Sequence, residues 1–352
     1  MSSKEINASK TNFQGEIPSK SEKIKLDLID RKILYLLAIN ARVSYATLSK
    51  TLKITREVVA YRIKRLQEEQ FLDGFFTLID TSRFGYQLNM VYIKLLNVTD
   101  MKNILDLINT LPEITRIKDC AGNYDLQLVF STKTLDEFDV TLEKLLNKLY
   151  LNIKEHMVLR IVEENYLGLN LLLTPEERKG LIIKELKGST FQKEFTNARK
   201  TEEIVTLDDI DKKILNLLKL DARISIMNIS KKIKLSSISI ENRIKRLVKE
   251  KVIISMYPLF AISRIGYQWY KVFFQVRNIK KSEFVEYLKQ HDNVLWYAKL
   301  VGTWNYQFSV FAKDNIEFYD ILNNIRSRFS ENIVSYDSLI ILNQHKFVHR
   351  IE

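Results

Sequence analysis

The sequence predicts an α+β fold made of two tandem copies of one unit, and three patterns support this prediction. Residues 26–86 align with residues 207–267 without a gap, and 26 of the 61 aligned positions are identical. In the first sixty or so residues of each copy, apolar side chains recur at the spacing of an amphipathic helix. In the remainder of each copy, strand-like and helix-like segments alternate, as they do where helices pack on a sheet.

The repeat sets the domain organisation. The first copy begins at Leu26 with LDLIDRKILYLLAINARVS, and the second begins at Leu207 with LDDIDKKILNLLKLDARIS. Both continue to RIKRL and SRxGY, and CAGNYDLQLVF matches LVGTWNYQFSV more weakly. Self-similarity over this length indicates duplication of a whole unit. We expect a disordered tail at 1–25, domains at 26–86 and 87–168, a linker with one short helix at 169–206, and domains at 207–267 and 268–352.

The start of each copy predicts three helices. In the first copy Ile33 and Leu37 share one helical face, Ser44 caps a short second helix, and Thr55 caps a third. The segments FLDGFFTLID and VIISMYPLFA, which follow the third helices, suit a two-stranded wing. This order predicts a winged helix-turn-helix, whose last helix is free to enter the major groove of DNA. The caps in the second copy are Ser225 and Ser236.

The rest of each copy predicts the order β-α-β-β-α-β, which is the ferredoxin-like arrangement. In the first copy the strands are expected near 90–98, 114–120, 124–130 and 153–162. Such a sheet covers one face with its helices and leaves the other face to a partner. Several apolar strand residues can lie on either face, namely Tyr92, Leu126, Leu128, Phe274, Phe308 and Val310.

The motif LDxxDxxILxLLxxxARxS, followed by RIKRL and SRxGY, resembles the Lrp/AsnC (feast/famine) transcription regulators. The resemblance implies that the N-terminal unit binds DNA and that the ferredoxin-like unit dimerises through its sheet and often binds an amino acid. The family usually has Gly before and after the third helix, where this chain has Lys53, Lys234, Gln70 and Lys251. These residues can adopt the left-handed conformation at modest cost. The tandem arrangement suggests an intramolecular pseudo-dimer, with a higher homo-oligomer as an alternative.

The third helices supply the candidate DNA-binding residues. Arg and Asn read bases with paired hydrogen bonds, and Lys and Ser hold phosphates. A solvated helix face is the alternative, and the four arginines on the helix flanks could instead pair with nearby carboxylates. The candidates are Thr55, Arg56, Glu57, Ala60, Tyr61, Arg62, Lys64 and Arg65 in the first copy, and Ser236, Ser237, Ile238, Glu241, Asn242, Arg243, Lys245 and Arg246 in the second.

The charge distribution favours double-stranded DNA as the partner. The chain has a formal net charge of +12. Residues 26–86 contain ten Lys and Arg against seven Asp and Glu, and residues 207–267 contain thirteen against six. Residues 87–168 contain nine against twelve. Positive charge is therefore concentrated in the proposed DNA-binding units, especially the second.

Two loops are candidates for a small-molecule effector, for which the family resemblance implies an amino acid. Each lies between the second and third strands of a ferredoxin-like domain, and Asp125 could hold an ammonium group. A structural β-turn is the alternative, because turns favour Gly, Asn and Asp. The loop residues are Gly122, Asn123, Tyr124 and Asp125 in the first copy, and Gly302, Thr303, Trp304 and Asn305 in the second.

The sequence predicts no enzyme, cofactor or metal site. The single cysteine, Cys120, excludes an intramolecular disulfide and a paired-cysteine zinc site. The tail lacks a signal-peptide core and no apolar run is long enough for a membrane span, so we expect a cytoplasmic, DNA-associated protein. The four histidines, which are not shared between the copies, are expected to be surface or packing residues: His156, His291, His345 and His349.

Two other functions remain open on this fold. Siroheme decarboxylases look like the same two-domain arrangement and use His and Arg in the ferredoxin-like cavity. A cavity lined by His291 with Arg277 or Arg116 would favour that enzyme. An architectural chromatin protein with weak sequence preference is the other alternative, since some family members compact DNA.

Overall fold

The two copies fold in the same order of elements. The structure is a computed structural model that describes residues 23–97, 100–179, 181 and 204–352. The elements of the first copy are α1 (Leu28–Ile39), α2 (Tyr45–Leu52), α3 (Arg56–Glu68), β1 (Leu72–Ile79), β2 (Gln87–Leu95), α4 (Met101–Asn109), β3 (Ile114–Ala121), β4 (Leu126–Thr132), α5 (Leu135–Lys148) and β5 (Ile153–Tyr166).

A short connecting helix and the second copy follow. The connecting helix is α6 (Pro175–Lys179), and the second copy consists of α7 (Asp209–Leu220), α8 (Ile226–Ile233), α9 (Ser237–Lys249), β6 (Ile253–Phe260), β7 (Gln268–Val276), α10 (Lys281–Gln290), β8 (Val294–Val301), β9 (Tyr306–Ala312), α11 (Asn315–Arg328) and β10 (Ile333–Phe347).

The capping side chains predicted from the sequence begin the helices of both helix-turn-helix units. The Thr55 hydroxyl accepts a hydrogen bond from the N–H of Val58, and Ser44, Ser225 and Ser236 cap α2, α8 and α9 in the same way. The first helices begin with a capping box in which two aspartates exchange side-chain and backbone hydrogen bonds. These aspartates are Asp27 and Asp30 in α1, and Asp208 and Asp211 in α7.

The turns around the third helices are built without glycine. Lys53, Gln70, Lys234 and Lys251 all have positive φ, between 54° and 61°. This is the left-handed region, in which a non-glycine residue pays a modest steric cost. The expectation that these four residues can adopt the left-handed conformation is confirmed.

The wing differs from the prediction. Each of the two predicted segments forms a single strand, and β1 of the first copy pairs antiparallel with β6 of the second. Phe76 lies opposite its repeat equivalent Tyr257, and their rings stack at a centroid distance of 5.6 Å. A pseudo-twofold axis therefore passes between these two residues. The expectation of a two-stranded wing within one copy is wrong, because each copy supplies one strand of a shared ribbon.

The two helix-turn-helix units share one hydrophobic core. Ile33, Leu37 and Val59 of the first copy belong to the same buried cluster as Ile214 and Ile240 of the second. The first helix of each copy packs on the wing strand of the other, α1 on β6 and α7 on β1. Burial of apolar surface on this scale makes the pair one structural body.

Eight strands close the rest of the chain into a barrel. Each ferredoxin-like sheet has the strand order expected of that arrangement, β3-β4-β2-β5 in the first copy and β10-β7-β9-β8 in the second. The barrel closes because β10 pairs with β3 and β5 pairs with β8, so each last strand joins its own sheet to that of the other copy.

The barrel wall separates two kinds of apolar strand residue. Tyr92 points into the barrel with Phe273 and Trp296. The helix-facing residues pack under α4 and α5 or under α10 and α11, and they are Leu126 and Leu128 in the first copy and Phe274, Phe308 and Val310 in the second. The interior of the barrel is therefore an interface between the two copies.

The connecting segment is tied to both copies. Thr174 and Glu177 form a capping box at α6, the short helix predicted for the linker. Glu177 accepts two hydrogen bonds from Arg31, each of 2.8 Å, and Arg178 donates two to Asp292 at 2.8 and 2.7 Å. Most of the predicted linker and tail lies outside the described residues. Within the described part of the chain, every helix is too short or too polar to cross a membrane.

Candidate functional site

The first turn of α3 presents an open surface. Thr55, Arg56 and Glu57 are exposed, and Tyr61 is 67% exposed one turn later. The opposite side of the helix is buried through Val59, Ile63 and Leu66. The helix N-terminus adds a partial positive charge to this surface. A guanidinium and an aromatic ring near one helix N-terminus are suited to a nucleic acid groove.

The equivalent surface of α9 has the same exposure and a different chemistry. Ser236, Ser237, Glu241 and Asn242 are exposed, and Ile238 is 73% exposed. The buried stripe is kept as Ile240, Ile244 and Leu247. Three hydroxyls line the start of this helix, because Ser239, which the sequence interpretation did not include, shares a hydrogen bond with Ser236.

The four flanking arginines belong to an ion-pair network. Arg62 and Arg65 donate to the carboxylate of Asp30 at 2.8 and 2.6 Å, and Arg62 also reaches Asp27 at 2.6 Å. Asp30 is fully buried. The same contacts join Arg243 and Arg246 to the acidic cap of α7. Of the two alternatives weighed for these arginines, carboxylate pairing is the one seen here, and a contact with DNA phosphates stays a prediction.

The two candidate lysines are exposed and bonded along their own helices. Lys64 lies 3.4 Å from Glu68, and Lys245 lies 2.7 Å from Glu241. Exposed pairs of this type contribute little to stability. Both ammonium groups therefore remain available to a phosphate.

The arginine of the ARxS motif joins the two helix-turn-helix units. Arg42 donates to the carbonyls of Ala222 and Ile224 at 2.6 and 3.0 Å, and its repeat equivalent Arg223 donates to the carbonyl of Val43 at 3.2 Å. Sequence reasoning used this motif only to detect the repeat. Its occurrence in both copies was the available signal for this contact.

The predicted effector loops make tight contacts between the copies. Gly122 has φ +134°, and a Cβ at this position would lie 2.8 Å from Leu339 in the other copy. At Gly302 a Cβ would lie 2.7 Å from Leu159. Asn123 donates to Asp337 at 2.7 Å, again across the copies. Both glycines are therefore needed for the close approach of strands.

The two loops nevertheless border one cavity. Asn123, Tyr124, Thr303 and Trp304 line a surface cavity of about 820 Å³, together with Lys94, Gly122, Lys154, Glu155, His156, Met157, Val158 and Asp337.

The carboxylate of Asp125 is hydrogen-bonded within the protein. Its carboxylate accepts from the N–H of Leu95 at 2.8 Å and from Lys94 at 3.1 Å. Asn305 accepts from the N–H of Val276 at 2.7 Å in the same place. In both copies a side-chain oxygen accepts from the backbone N–H of the neighbouring strand, so an Asp in one copy and an Asn in the other serve equally. In this structure the ammonium group that the Asp125 carboxylate binds is that of Lys94, and binding of a ligand ammonium there stays a prediction.

A second cavity of about 430 Å³ lies between the wing ribbon and one end of the barrel. Arg116 lines it, paired twice with Glu164 at 2.9 Å. A decarboxylase was expected to have a cavity lined by His291 together with Arg277 or Arg116. Arg116 lines this cavity, but His291 and Arg277 do not.

Three of the four histidines have structural surroundings, whereas His156 is exposed and lines the cavity between the two loops. His349 accepts from the N–H of Ile79 at 3.3 Å, His345 lies 3.3 Å from Asp119, and His291 packs on Tyr287. Among the described residues, no three His, Cys, Asp or Glu side chains are grouped to hold a metal ion.

Comparison with known proteins gives consistent matches. The model of the AsnC-type helix-turn-helix domain matches residues 26–67 and 207–248. An HTH-type transcriptional regulator of Pyrococcus abyssi is 35% identical over 120 residues, covering 32% of this chain and 77% of that protein. The HTH-type transcriptional regulator Ptr1 of Methanocaldococcus jannaschii is 29% identical over 111 residues, covering 32% of this chain and 75% of the relative.

The likeness to solved structures extends over nearly the whole chain. The siroheme decarboxylase NirDL superposes with a TM-score of 0.60, covering 92% of this chain and 94% of that chain at 13% identity. At this identity the likeness concerns the fold, and it extends to the joined arrangement of both copies.

Proposed function

The chain belongs to the Lrp/AsnC family of helix-turn-helix transcription regulators, and we propose that it binds an asymmetric double-stranded DNA site as an intramolecular pseudo-dimer. The observation that carries the proposal is the pair of exposed, divergent third-helix faces on one shared core. This function requires the chain to work in the compartment that holds the DNA.

The pseudo-twofold axis supports a two-part site. A homodimer presents two identical recognition helices and favours palindromic sites. Here the axis relates α3 to α9, and Arg56 corresponds to Ser237 while Tyr61 corresponds to Asn242. The wing ribbon and the Arg42 contacts fix the two helices relative to each other. We therefore propose two unlike half-sites, about 10 or 20 base pairs apart.

In-vitro selection of random DNA tests this proposal. Wild type is expected to select a non-palindromic sequence. Arg56→Ala should lose base preference in one half-site only, at a cost of about 1–3 kcal/mol if Arg56 makes a paired contact with a base. Arg160→Ala is the matched control, because it removes an exposed arginine on β5.

Two outcomes would contradict the proposal. A perfect palindrome, or equal loss of preference in both halves, would mean that two chains pair identical helices. Footprinting distinguishes a site-specific regulator from an architectural protein. A regulator should protect a short, defined site, whereas protection without a defined edge would indicate an architectural protein.

We also propose a small-molecule effector in the cavity between the two loops. Glu155 supplies a carboxylate there and Lys154 supplies an ammonium group, which suits an amino acid. An amino acid that binds the folded state should raise the melting temperature, and Glu155→Gln should remove the increase. Glu143→Gln, exposed on α5, is the control. No increase with any of the twenty amino acids would reject this effector class.

A further inference from the structure

The cavity between the wing ribbon and the barrel contains two buried lysines. Lys118 on β3 and Lys271 on β7 both line it, with exposures of 6% and 2%. Neither ammonium group has a hydrogen-bond acceptor among the described residues, since both lie instead over indole rings. A buried cation without an acceptor is costly, so native proteins normally supply one.

Aromatic side chains hold the two ammonium groups near each other. The Lys118 ammonium lies 4.5 Å from the ring centroid of Trp269. The Lys271 ammonium lies 3.6 Å from that of Trp296 and 5.5 Å from that of Trp269. A cation over an aromatic face gains part of its lost solvation energy. It retains N–H groups that can donate to a ligand oxygen.

Arg116, which also lines this cavity, already has an anionic partner within the protein. Arg116 is neutralised by Glu164 through two hydrogen bonds of 2.9 Å and also lies over the ring of Phe347. Lys118 and Lys271 are therefore the buried basic groups of the cavity that no carboxylate neutralises, whereas Lys23 and Lys313, which also line it, are exposed. Burial lowers the pKa of Lys118 to about 7, and it holds the pKa of Lys271 well below its usual range.

Each of these two lysines occurs in only one copy of the repeat. Lys271 corresponds to Met90, and Lys118 corresponds to Ala298. Met90 lines the same cavity, as does Trp296, the equivalent of Arg116. The cavity therefore lies where the copies meet, and its charge comes from substitutions that the other copy does not share.

We propose that this cavity binds a flat aromatic carboxylate, with the carboxylate between Lys118 and Lys271 and the ring system against the two tryptophans. A volume of about 430 Å³ is within the range of small-molecule sites. The remaining wall is largely apolar, including Phe76, Val129 and Tyr257. Such a wall favours a ring system over a hydrated inorganic anion.

The ligand would connect the barrel to the helix-turn-helix units. Phe76 and Tyr257 belong to the wing ribbon at the pseudo-twofold axis, whereas both lysines belong to barrel strands. This site is separate from the loop cavity, with which it shares none of its lining residues. Its occupancy does not depend on the DNA-binding proposal, because it is measured without DNA.

The test measures binding of 1-naphthoate and indole-3-carboxylate to the full chain by calorimetry and thermal shift, with the neutral amides as matched ligands. We expect each acid to bind and to raise the melting temperature, and each amide to bind at least tenfold more weakly. The double variant Lys118→Ala and Lys271→Met copies the residues of the other repeat.

The double variant should weaken binding of the acids at least tenfold. Its melting temperature without ligand should be higher than that of wild type, which also shows that it folds. Lys299→Ala, on the same sheet but outside the cavity, should bind as wild type does. Failure of both acids to bind wild type, equal binding of acids and amides, or unchanged binding by the double variant would each overturn the proposal.

Discussion

Replacement of Asp30 by asparagine should be among the most destabilising single changes in the first helix-turn-helix unit. The Asp30 carboxylate is fully buried and accepts from Arg62 at 2.8 Å, from Arg65 at 2.6 Å and from the N–H of Asp27 at 3.2 Å. Asparagine keeps the shape but removes the charge and one acceptor oxygen. Breaking a fully buried ion pair costs about 3–5 kcal/mol.

The surroundings of the two arginines reduce that cost. The side chains of Arg62 and Arg65 are 18% and 30% exposed, so water partly solvates them after the carboxylate is lost. We therefore expect a loss of about 2–4 kcal/mol in the free energy of unfolding. Since the two units share one core, Asp211→Asn should produce a similar loss.

Urea unfolding followed by circular dichroism measures this loss. Asp27→Asn is the control, because the Asp27 side chain is 52% exposed and an exposed pair contributes about 0–1 kcal/mol. A loss below about 1 kcal/mol for Asp30→Asn, or equal losses for both variants, would refute the reasoning that burial makes this network strong.

Two further predictions concern the barrel. The pKa of Lys118 is lowered from 10.5 in the unfolded chain to about 7 in the folded chain. Between pH 7 and pH 10.5 the unfolded chain therefore binds more protons than the folded chain, so the free energy of unfolding should rise with pH. Lys118 should contribute about 2 kcal/mol to the free energy of unfolding between pH 7 and pH 9, which urea unfolding measures. If the free energy of unfolding of a Lys118→Met variant rose with pH as steeply as that of wild type, the prediction would be contradicted. Gly122→Ala should destabilise the chain by about 1–3 kcal/mol more than Gly85→Ala, because both have positive φ but only Gly122 has a close neighbour, Leu339. Equal melting temperatures for the two glycine variants would show that the strand contact is loose.

Local patterns in the sequence were sufficient to predict the helices. Ser44 and Thr55 begin α2 and α3 as expected, and the stripe of Val59, Ile63 and Leu66 is buried as expected. Capping and helical periodicity depend on residues within one or two turns, so they can be read from a short window. The ferredoxin-like order of strands and helices was predicted for the same reason.

Contacts between the copies could not be predicted in this way. The partner of β1 is β6, more than 170 residues away, and an isolated apolar segment does not reveal its pairing strand. The partners of Asp125 could not be predicted for a related reason. An Asp in a Gly-containing turn is expected to be solvent-facing, and only the paired strands show that it accepts from the N–H of Leu95.

Fusion of the copies changes what the pseudo-twofold axis permits. In a homodimer, a residue near the axis meets its own copy, so a lysine there would meet a second lysine and be opposed by charge repulsion. In one chain the two positions vary separately, and Lys271 is combined with Met90 in the same cavity. The recognition helices follow the same logic, because Arg56 can change without changing Ser237. Duplication therefore keeps the pseudo-twofold geometry that the proposed two-part DNA site needs, while the exposed faces of the third helices and the barrel interior are free to become asymmetric.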